Sequence, residues 1–521
     1  AAAHLPDLTE RLGPVRLAVA REDRLITALA RTAERSLALR AERRTPAHLS
    51  CRGWTPRRTA GWALALLSPI GAGLALAPGA TLLSVLVLAT VTSVLLTALK
   101  AAAGLAALRT APRREGMAPV DRAALPTVTL LVPLYRERRI AAHLLARLQA
   151  LDYPRDLLDI LLVLEADDAT TRAAIANVSL PPWIRPLRVP AGTLTTKPRA
   201  LNYALDFARG EIVGVYDAED APAPDQISRV VQGFAERSPQ VACLQGVLDF
   251  YNSRANWLTR CFTLEYAAWF RIVLPGLTRL GLPIPLGGTT LFFRRAVLEQ
   301  LGAWDAHNVT EDADLGLRLA RYGYRTELID TVTGEEANGR VLSWMRQRSR
   351  WLKGYAVTYA VHMRRPAQLW KELGPWRFCG VQVLYLGTVL SFALAPVLWA
   401  CWALALLPSP LGPLPTGLVV TLVALFLSAE AVNLAVAIVA ARRAGRPGLA
   451  WWAPTLMAYF PLATAAVLKG LWEVVVRPFY WHKTEHGLFL PDTVLFGTRA
   501  PGTQGPITPR PPRPPRPAAG G

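Results

Sequence analysis

The chain has 521 residues, 52% of them hydrophobic and only 18% charged, which excludes a disordered or fibrous polymer and points to a large folded protein with membrane-buried parts. Its 58 Lys and Arg outnumber 38 Asp and Glu, and a net charge of +20 fits nucleic acid, an anionic substrate or anionic lipid. Five scattered cysteines with no C-x-x-C pair exclude a disulfide framework and a zinc knuckle, as expected of a chain facing a reducing cytosol.

In chain order, residues 1–58 form a basic cytosolic cap with twelve Arg, six acids and helically spaced Leu25, Ile26, Leu29 and Leu37. No basic run leads directly into an apolar one, so no cleavable signal peptide is visible. Residues 59–108 hold two apolar runs of spanning length, 60–77 and 81–107, turning at Pro78-Gly79. A second hairpin within 376–441 has runs at 378–407 and 414–440 around Pro408-Ser409-Pro410. Arg442, Arg443 and Arg446 follow it, so the positive-inside tendency places both termini and everything between the hairpins in the cytoplasm of a bacterial-type inner membrane.

Residues 109–375 read as soluble. Short β-rich runs at 127–132, 160–164, 212–216 and 241–245 alternate with helical stretches at 140–151 and 200–207, the pattern of an α/β domain with a mainly parallel sheet. Ligands of such sheets sit beyond the carboxyl ends of the strands. There stand Glu137 after the first run and Glu165 to Asp168 after the second, which suit hydrogen bonds to a base or ribose or, equally, helix capping. The third run ends in Asp217-Ala218-Glu219-Asp220, three carboxylates whose mutual repulsion calls for a cation such as Mg²⁺ or Mn²⁺; an acidic turn is the competing reading. Lys197 enters a helix whose N-terminus favours a diphosphate, against a plain solvated basic face. Gly287-Gly288-Thr289-Thr290 lets backbone approach a ligand or simply turns the chain, and Thr310-Glu311-Asp312 opens a helix where acids also complement its dipole. Gln347, Arg350 and Trp351 share one helical face, with chemistry to bridge hydroxyls, hold a leaving phosphate and stack on a sugar; lying on lipid is the alternative.

Within 442–498, residues 461–476 carry recurring Lys469, Glu473 and Arg477 and read as an interfacial helix leading into a 479–487 loop; residues 256–274 read as a second interfacial helix. Residues 499–521, with eight Pro and four Arg, read as a solvated tail. Inside the spans, Glu430 with Asn433 and Gln382 with Tyr385 are expected to face protein or a wet passage, since an ionisable group in lipid costs about 2.5–3.5 kcal/mol.

Taken in order, the D-A-E-D, T-E-D and Q-x-x-R-W motifs resemble those of the processive, membrane-embedded family 2 glycosyltransferases that include cellulose and hyaluronan synthases. The resemblance implies a GT-A-like, nucleotide-sugar-binding α/β domain inserted between transmembrane helical hairpins, with interfacial helices. It further implies base and ribose contacts at Glu137, Glu165 and Asp168, Lys197 at the diphosphate, and donor contacts at Asp217, Lys483 and Thr484 of a gating-like loop. Metal would sit at Asp217 with Glu219 or Asp220; this chain departs from the D-x-D pattern by having Glu second. Gly288, Thr289 and Trp351 would meet the acceptor, and Asp312, with Glu311, Gln347, Arg350 and Trp351, would carry the chemistry. The expected activity is inverting hexosyl transfer from a nucleotide sugar, UDP-glucose by default, to a growing β-linked polysaccharide coupled to export, with accessory subunits an open question. Transfer to a lipid-linked acceptor and a nucleotide-sugar-sensing transporter are the alternatives. Nucleic acid is not an expected partner, because the surplus positive charge lies in the cap, juxtamembrane segments and tail.

Overall fold

The computed structural model describes residues 28, 32–109, 122–137, 141–176, 178–406 and 415–480. The expected turn at 408–410, Lys483, Thr484 and the Pro/Arg-rich tail lie outside them.

Helix α1 (Glu34–Arg43) opens the described chain, and α2 (Pro56–Leu76) and α3 (Pro78–Leu108) form the first apolar hairpin. Both begin with Pro in the first turn, where its missing N–H costs nothing, and they break at Ala77 as the Pro-Gly signal predicts. Trp62, Leu64, Leu66 and Leu76 of α2 are exposed, which suits a hydrocarbon rather than an aqueous surround.

The α/β domain follows as β1 (Val128–Leu134), α4 (Ala141–Gln149), β2 (Leu158–Glu165), α5 (Ala169–Ala176), β3 (Ile184–Val189), α6 (Lys197–Leu205), β4 (Ile212–Val215), β5 (Ala221–Pro222), α7 (Gln226–Ala235) and β6 (Val241–Phe250). It continues through α8 (Trp257–Ala268), a π turn, α9 (Leu274–Arg279), β7 (Leu291–Arg294), α10 (Arg295–Gln300), α11 (Glu311–Arg321) and β8 (Arg325–Glu335). The eight strands make one sheet in the order β3-β2-β1-β4-β7-β6-β8-β5. β1 runs parallel to β2 and β4, in register Val128↔Leu158 and Val128↔Ile212. The expectation of a mainly parallel sheet holds for that half; β7 is antiparallel to both β4 and β6, and β5 to β8, so the whole is mixed.

Both faces are covered. Leu130, Val132, Ile160 and Leu162 pack with Val230 and Phe234 of α7 on one side, while Leu131, Leu161 and Val163 pack with Ala200, Leu201, Tyr203, Ala204 and Leu205 of α6 on the other. That is why the strands read as continuous apolar runs rather than alternating ones.

Helix α12 (Val341–His362) leads to α13 (Pro366–Val381), which kinks at Gly374 (φ 72°) before Pro375 and passes through a π turn into α14 (Thr388–Leu406). α15 (Thr416–Arg443), a 3₁₀ segment, α16 (Leu456–Tyr459) and α17 (Pro461–Val476) complete the bundle. Four helices among the described residues are long and apolar enough to cross a membrane: Pro56–Leu76, Pro78–Leu108, Pro366–Ala403 and Thr416–Arg443. Pro447–Tyr459 and Pro461–Val476, bent by 47°, would count as a fifth only as one broken span. α17 packs on α12 so closely that a Cβ on Gly470 would stand 2.8 Å from the Ser349 carbonyl.

Candidate active site

The site is built where the sheet changes direction. β4 delivers Asp217 beyond its carboxyl end, and the antiparallel pairing Val215↔Leu291 sets the Gly287–Thr290 loop beside it. The Thr290 N–H donates to Val215 O (2.9 Å) and the Asp217 N–H to Thr289 Oγ1 (3.2 Å). Thr196 caps α6 through the Arg199 N–H, so Lys197 is its first residue and reaches across to the Asp217 carboxylate and to Gly288 O (2.9 Å).

Gly288 is left-handed (φ 52°), and a Cβ there would lie 3.3 Å from Asp312 Oδ2, so glycine serves both the turn and the acid's access. Asp312 stands in the first turn of α11, where it accepts from the Ala313 N–H (2.8 Å). Gly354 of α12 lets Thr310 fit behind it; a Cβ would fall 2.0 Å from Thr310 Oγ1. α12 presents Gln347, Arg350 and Trp351. Gln347 accepts from Asn338 Nδ2 (2.8 Å), Arg350 Nε is buried without a partner, and Trp351 packs on Phe262 and Tyr266 with the Arg348 guanidinium 4.9 Å from its ring.

A single cavity of about 1280 Å³ is lined by Glu137, Glu165, Lys197, Asp217, Glu219, Gly288, Thr289, Glu311, Asp312, Gln347, Arg350 and Trp351, and it continues between α3, α14 and α15. Two expected residues do not line it. Asp168 caps α5 instead, accepting from the Thr171 N–H (3.1 Å) and hydroxyl and from the Arg136 N–H. Asp220 faces inward, where its Oδ2 accepts from the Asp217 N–H (2.8 Å) and bonds the Thr289 hydroxyl. Lys483 and Thr484 lie outside the described residues.

The electrostatics are those of crowded acids. Burial, then the neighbouring Asp312 charge, push Glu311 up to about 7 against the pull of Lys197. Burial raises Asp312 as well. Burial alone would lower Lys197, but Asp217, seconded by Glu311, holds it protonated above the usual range. Burial pushes Glu165 up to about 7 although Arg199 opposes it (3.3 Å).

Sequence reasoning missed Glu335, which ends β8, and Glu336 just beyond it, both lining the same cavity; burial and then Asp220, Glu219 and Asp217 raise Glu335 far above the carboxylate range. The alternation Thr331-Val332-Thr333 before Gly334-Glu335-Glu336 is the signal that marks them. It also missed Lys100, and Glu265, which takes Arg348 and the Tyr459 hydroxyl (2.6 Å).

As to a cation, no three acid, His or Cys side chains converge as a ready-made metal site among the described residues. Two carboxylates in the cavity, Asp217 and Glu219, nevertheless offer hard oxygen ligands that suit an ion completed by phosphate oxygens.

Residues 212–429 match the model of Glycosyl transferase family group 2. The chain is 30% identical over 288 residues to Beta-monoglucosyldiacylglycerol synthase of Synechocystis sp., covering 53% of this chain and 58% of that one. It is 24% identical over 253 residues to Probable glucomannan 4-beta-mannosyltransferase 3 of Oryza sativa subsp. japonica, covering 45% and 44%. The mannosyltransferase PcManGT from Pyrobaculum calidifontis, solved with GDP-Man and Mn²⁺, is 23% identical and covers 73% of this chain and 99% of that one, with a TM-score of 0.46. The chain spans about half the length of the curated relatives it matches. The match begins at β4 and takes in the acid loop, Asp312 and Q-x-x-R-W, so the part of the chain that resembles Glycosyl transferase family group 2 is the part that builds most of the cavity, in an α/β domain joined to apolar helices long enough to cross a membrane.

Proposed function

We propose that the protein transfers a hexose, with inversion, from a nucleotide sugar to a hydroxyl acceptor that reaches the site from the membrane. One observation carries this: the donor-side acids, Asp312 and the Q-x-x-R-W face open into one cavity that continues into the apolar bundle. The acceptor oxygen forms the new bond to the anomeric carbon as the bond to the diphosphate oxygen breaks, and the bonding pair leaves with the nucleoside diphosphate. Asp312 takes the acceptor proton, a contribution of about 10²–10⁴-fold. Arg350, whose Nε has no partner, and Lys197 receive the charge that builds on the diphosphate. Glu137 and Glu165 face the nucleoside, Gly288 leaves room beside the base, and Trp351 with Gln347 orients the acceptor. Asp217 and Glu219 would hold Mg²⁺ or Mn²⁺, which when bound neutralises the diphosphate. The relatives named for glycolipid and glucomannan synthesis are consistent with hexose donors, and UDP-glucose is the first to test.

A processive polysaccharide synthase is the second reading, favoured by the complete Q-x-x-R-W face beside a cavity that leads into the bundle. In both readings the α/β domain and the ends of the bundle that carry Arg442, Arg443 and Arg446 share the cytoplasmic side. Purified protein in lipid, offered each nucleotide sugar with Mg²⁺ or Mn²⁺, is expected to release nucleoside diphosphate. A single-sugar product on lipid supports transfer to a membrane acceptor, a water-soluble polymer the second reading, and no release with any donor refutes both.

A further inference from the structure

The cavity has two chemically different halves, and the waist between them holds charged side chains that the transfer chemistry leaves unused. Lys100 of α3 donates to Asn433 Oδ1 of α15 (2.7 Å), and Asn433 Nδ2 donates to Glu430 Oε1 (3.4 Å). Lys100 Nζ also stands 5.9 Å above the Phe460 ring, and Glu265 of α8 borders the same space. Beyond this waist the lining turns apolar, with Leu398, Trp399, Trp402, Leu425 and Phe426. Among the hydroxyls that line the bundle part, four are turned back on their own helices: Thr90 donates to Leu86 O (2.8 Å), Thr388 to Leu384 O (2.6 Å), Ser391 to Thr388 O (3.1 Å) and Ser428 to Ala424 O (2.7 Å), while Thr464 Oγ1 has no partner.

An occupant of the bundle half therefore meets few free hydrogen-bonding groups. Each sugar hydroxyl left unsatisfied there would lose its hydrogen bonds to water without replacement, so a hydrated glycan is disfavoured and an acyl chain is matched. The waist itself is charge-balanced, Lys100 against Glu430 and Arg348 against Glu265, so it offers hydrogen bonds without the surplus positive charge that a phosphate head requires. We infer that Lys100, Asn433 and Glu430 form the subsite for an uncharged, hydroxyl-headed membrane lipid of the diacylglycerol type, whose acyl chains occupy the bundle half and whose hydroxyl is thereby presented toward Asp312. This rests on the transferase reading above.

The test uses the full chain in phosphatidylcholine nanodiscs containing dioleoylglycerol, a polyprenyl phosphate or no added acceptor, with hexose transfer followed by mass spectrometry. The wild-type protein is expected to glycosylate dioleoylglycerol, and K100M and N433L are expected to raise the KM for it at least tenfold while the Kd for nucleoside diphosphate stays within twofold. Should K100M not be recovered folded, N433A reads the same subsite, because it removes only the amide to which Lys100 donates. Transfer to polyprenyl phosphate alone, or a dioleoylglycerol KM within twofold of wild type in the folded variants, overturns the subsite. Nucleoside diphosphate release with a soluble polymer and untouched lipid also overturns the subsite while sparing the transferase reading, whereas no release with any acceptor overturns both.

Discussion

Asp312→Asn is the most direct test of the chemistry, because the isosteric amide keeps the hydrogen bond from the Ala313 N–H while removing the basic oxygen. A general base contributes about 10²–10⁴-fold, so at about 1.4 kcal/mol per decade the substitution should raise the barrier by about 3–5.5 kcal/mol. Burial raises the Asp312 carboxyl above the ordinary aspartate range. Because the base works only when deprotonated, turnover should rise with pH through that region and then level. Glu311→Gln should leave that limb in place, because the Asp312 charge raises Glu311, which therefore stays neutral while Asp312 loses its proton. Saturating the enzyme with Mn²⁺ should move the limb down, since an added cation favours the carboxylate. The assay is nucleoside diphosphate release at saturating donor across about pH 5–9, with nucleotide affinity measured separately. A D312N protein that binds nucleotide and keeps more than about a tenth of wild-type turnover would refute the base assignment, which requires a loss of at least about a hundredfold. An E311Q limb that moves down would show that Glu311 is charged while Asp312 titrates, the reverse of that order.

Gly354→Ala places a methyl group against Thr310, so the start of α11 must shift; a misplacement of about 1 Å costs on the order of 10²-fold, and kcat should fall by that factor with nucleotide affinity retained. Asp217→Asn should weaken Mn²⁺ binding by about 10–100-fold, read by titration calorimetry. Asp220→Asn should leave that affinity largely unchanged, because Asp220 is turned to the Asp217 N–H and burial keeps its carboxyl protonated. Equal losses in the two variants would show that Asp220 is a ligand.

What the sequence displays well is what local physics decides. β1, β2, β4 and β6 are legible because strands buried on both faces must be apolar throughout. β3 is not, because Ile184–Val189 carries two Arg and a Pro at the sheet edge, a pattern that also fits a loop. The reversal of β7 is invisible too, since antiparallel pairing is set by the path through α8 and α9 rather than by any residue within Leu291–Arg294. The same division governs the site. Acids that follow apolar runs mark the catalytic end of the sheet, yet nothing in D-A-E-D says that Asp217 and Glu219 reach the cavity while Asp220 closes the loop beneath them. Lys100 is hidden for another reason: near the end of a long span a lysine reads as one that reaches for the headgroups, and only the crossing of α15 gives it Asn433.

The N-terminal segment shows how a stretch with no motif can still belong to a site. Glu42 of α1 accepts from the Thr193 N–H (2.7 Å) and hydroxyl (2.7 Å), pinning the loop that carries Thr195, Thr196 and Lys197 to the cavity wall. It also faces Arg199 (3.3 Å), which is wholly buried and has Glu165 as its other acid (3.3 Å). A buried guanidinium that loses one of two carboxylates is left under-compensated, and breaking such a pair costs about 3–5 kcal/mol when nothing replaces it. Here Glu165 can take up part of that charge, at the price of leaving its place at the nucleoside end of the cavity. Glu42→Gln should therefore raise the KM for the nucleotide sugar by about tenfold, a cost of about 1.4 kcal/mol, with a smaller effect on kcat. It should also move the Glu165 titration below about 7, because Arg199 then attends a single carboxylate. A merely structural Glu42 would lower thermal stability but leave the pH dependence of donor binding where it was, so that profile separates the two roles.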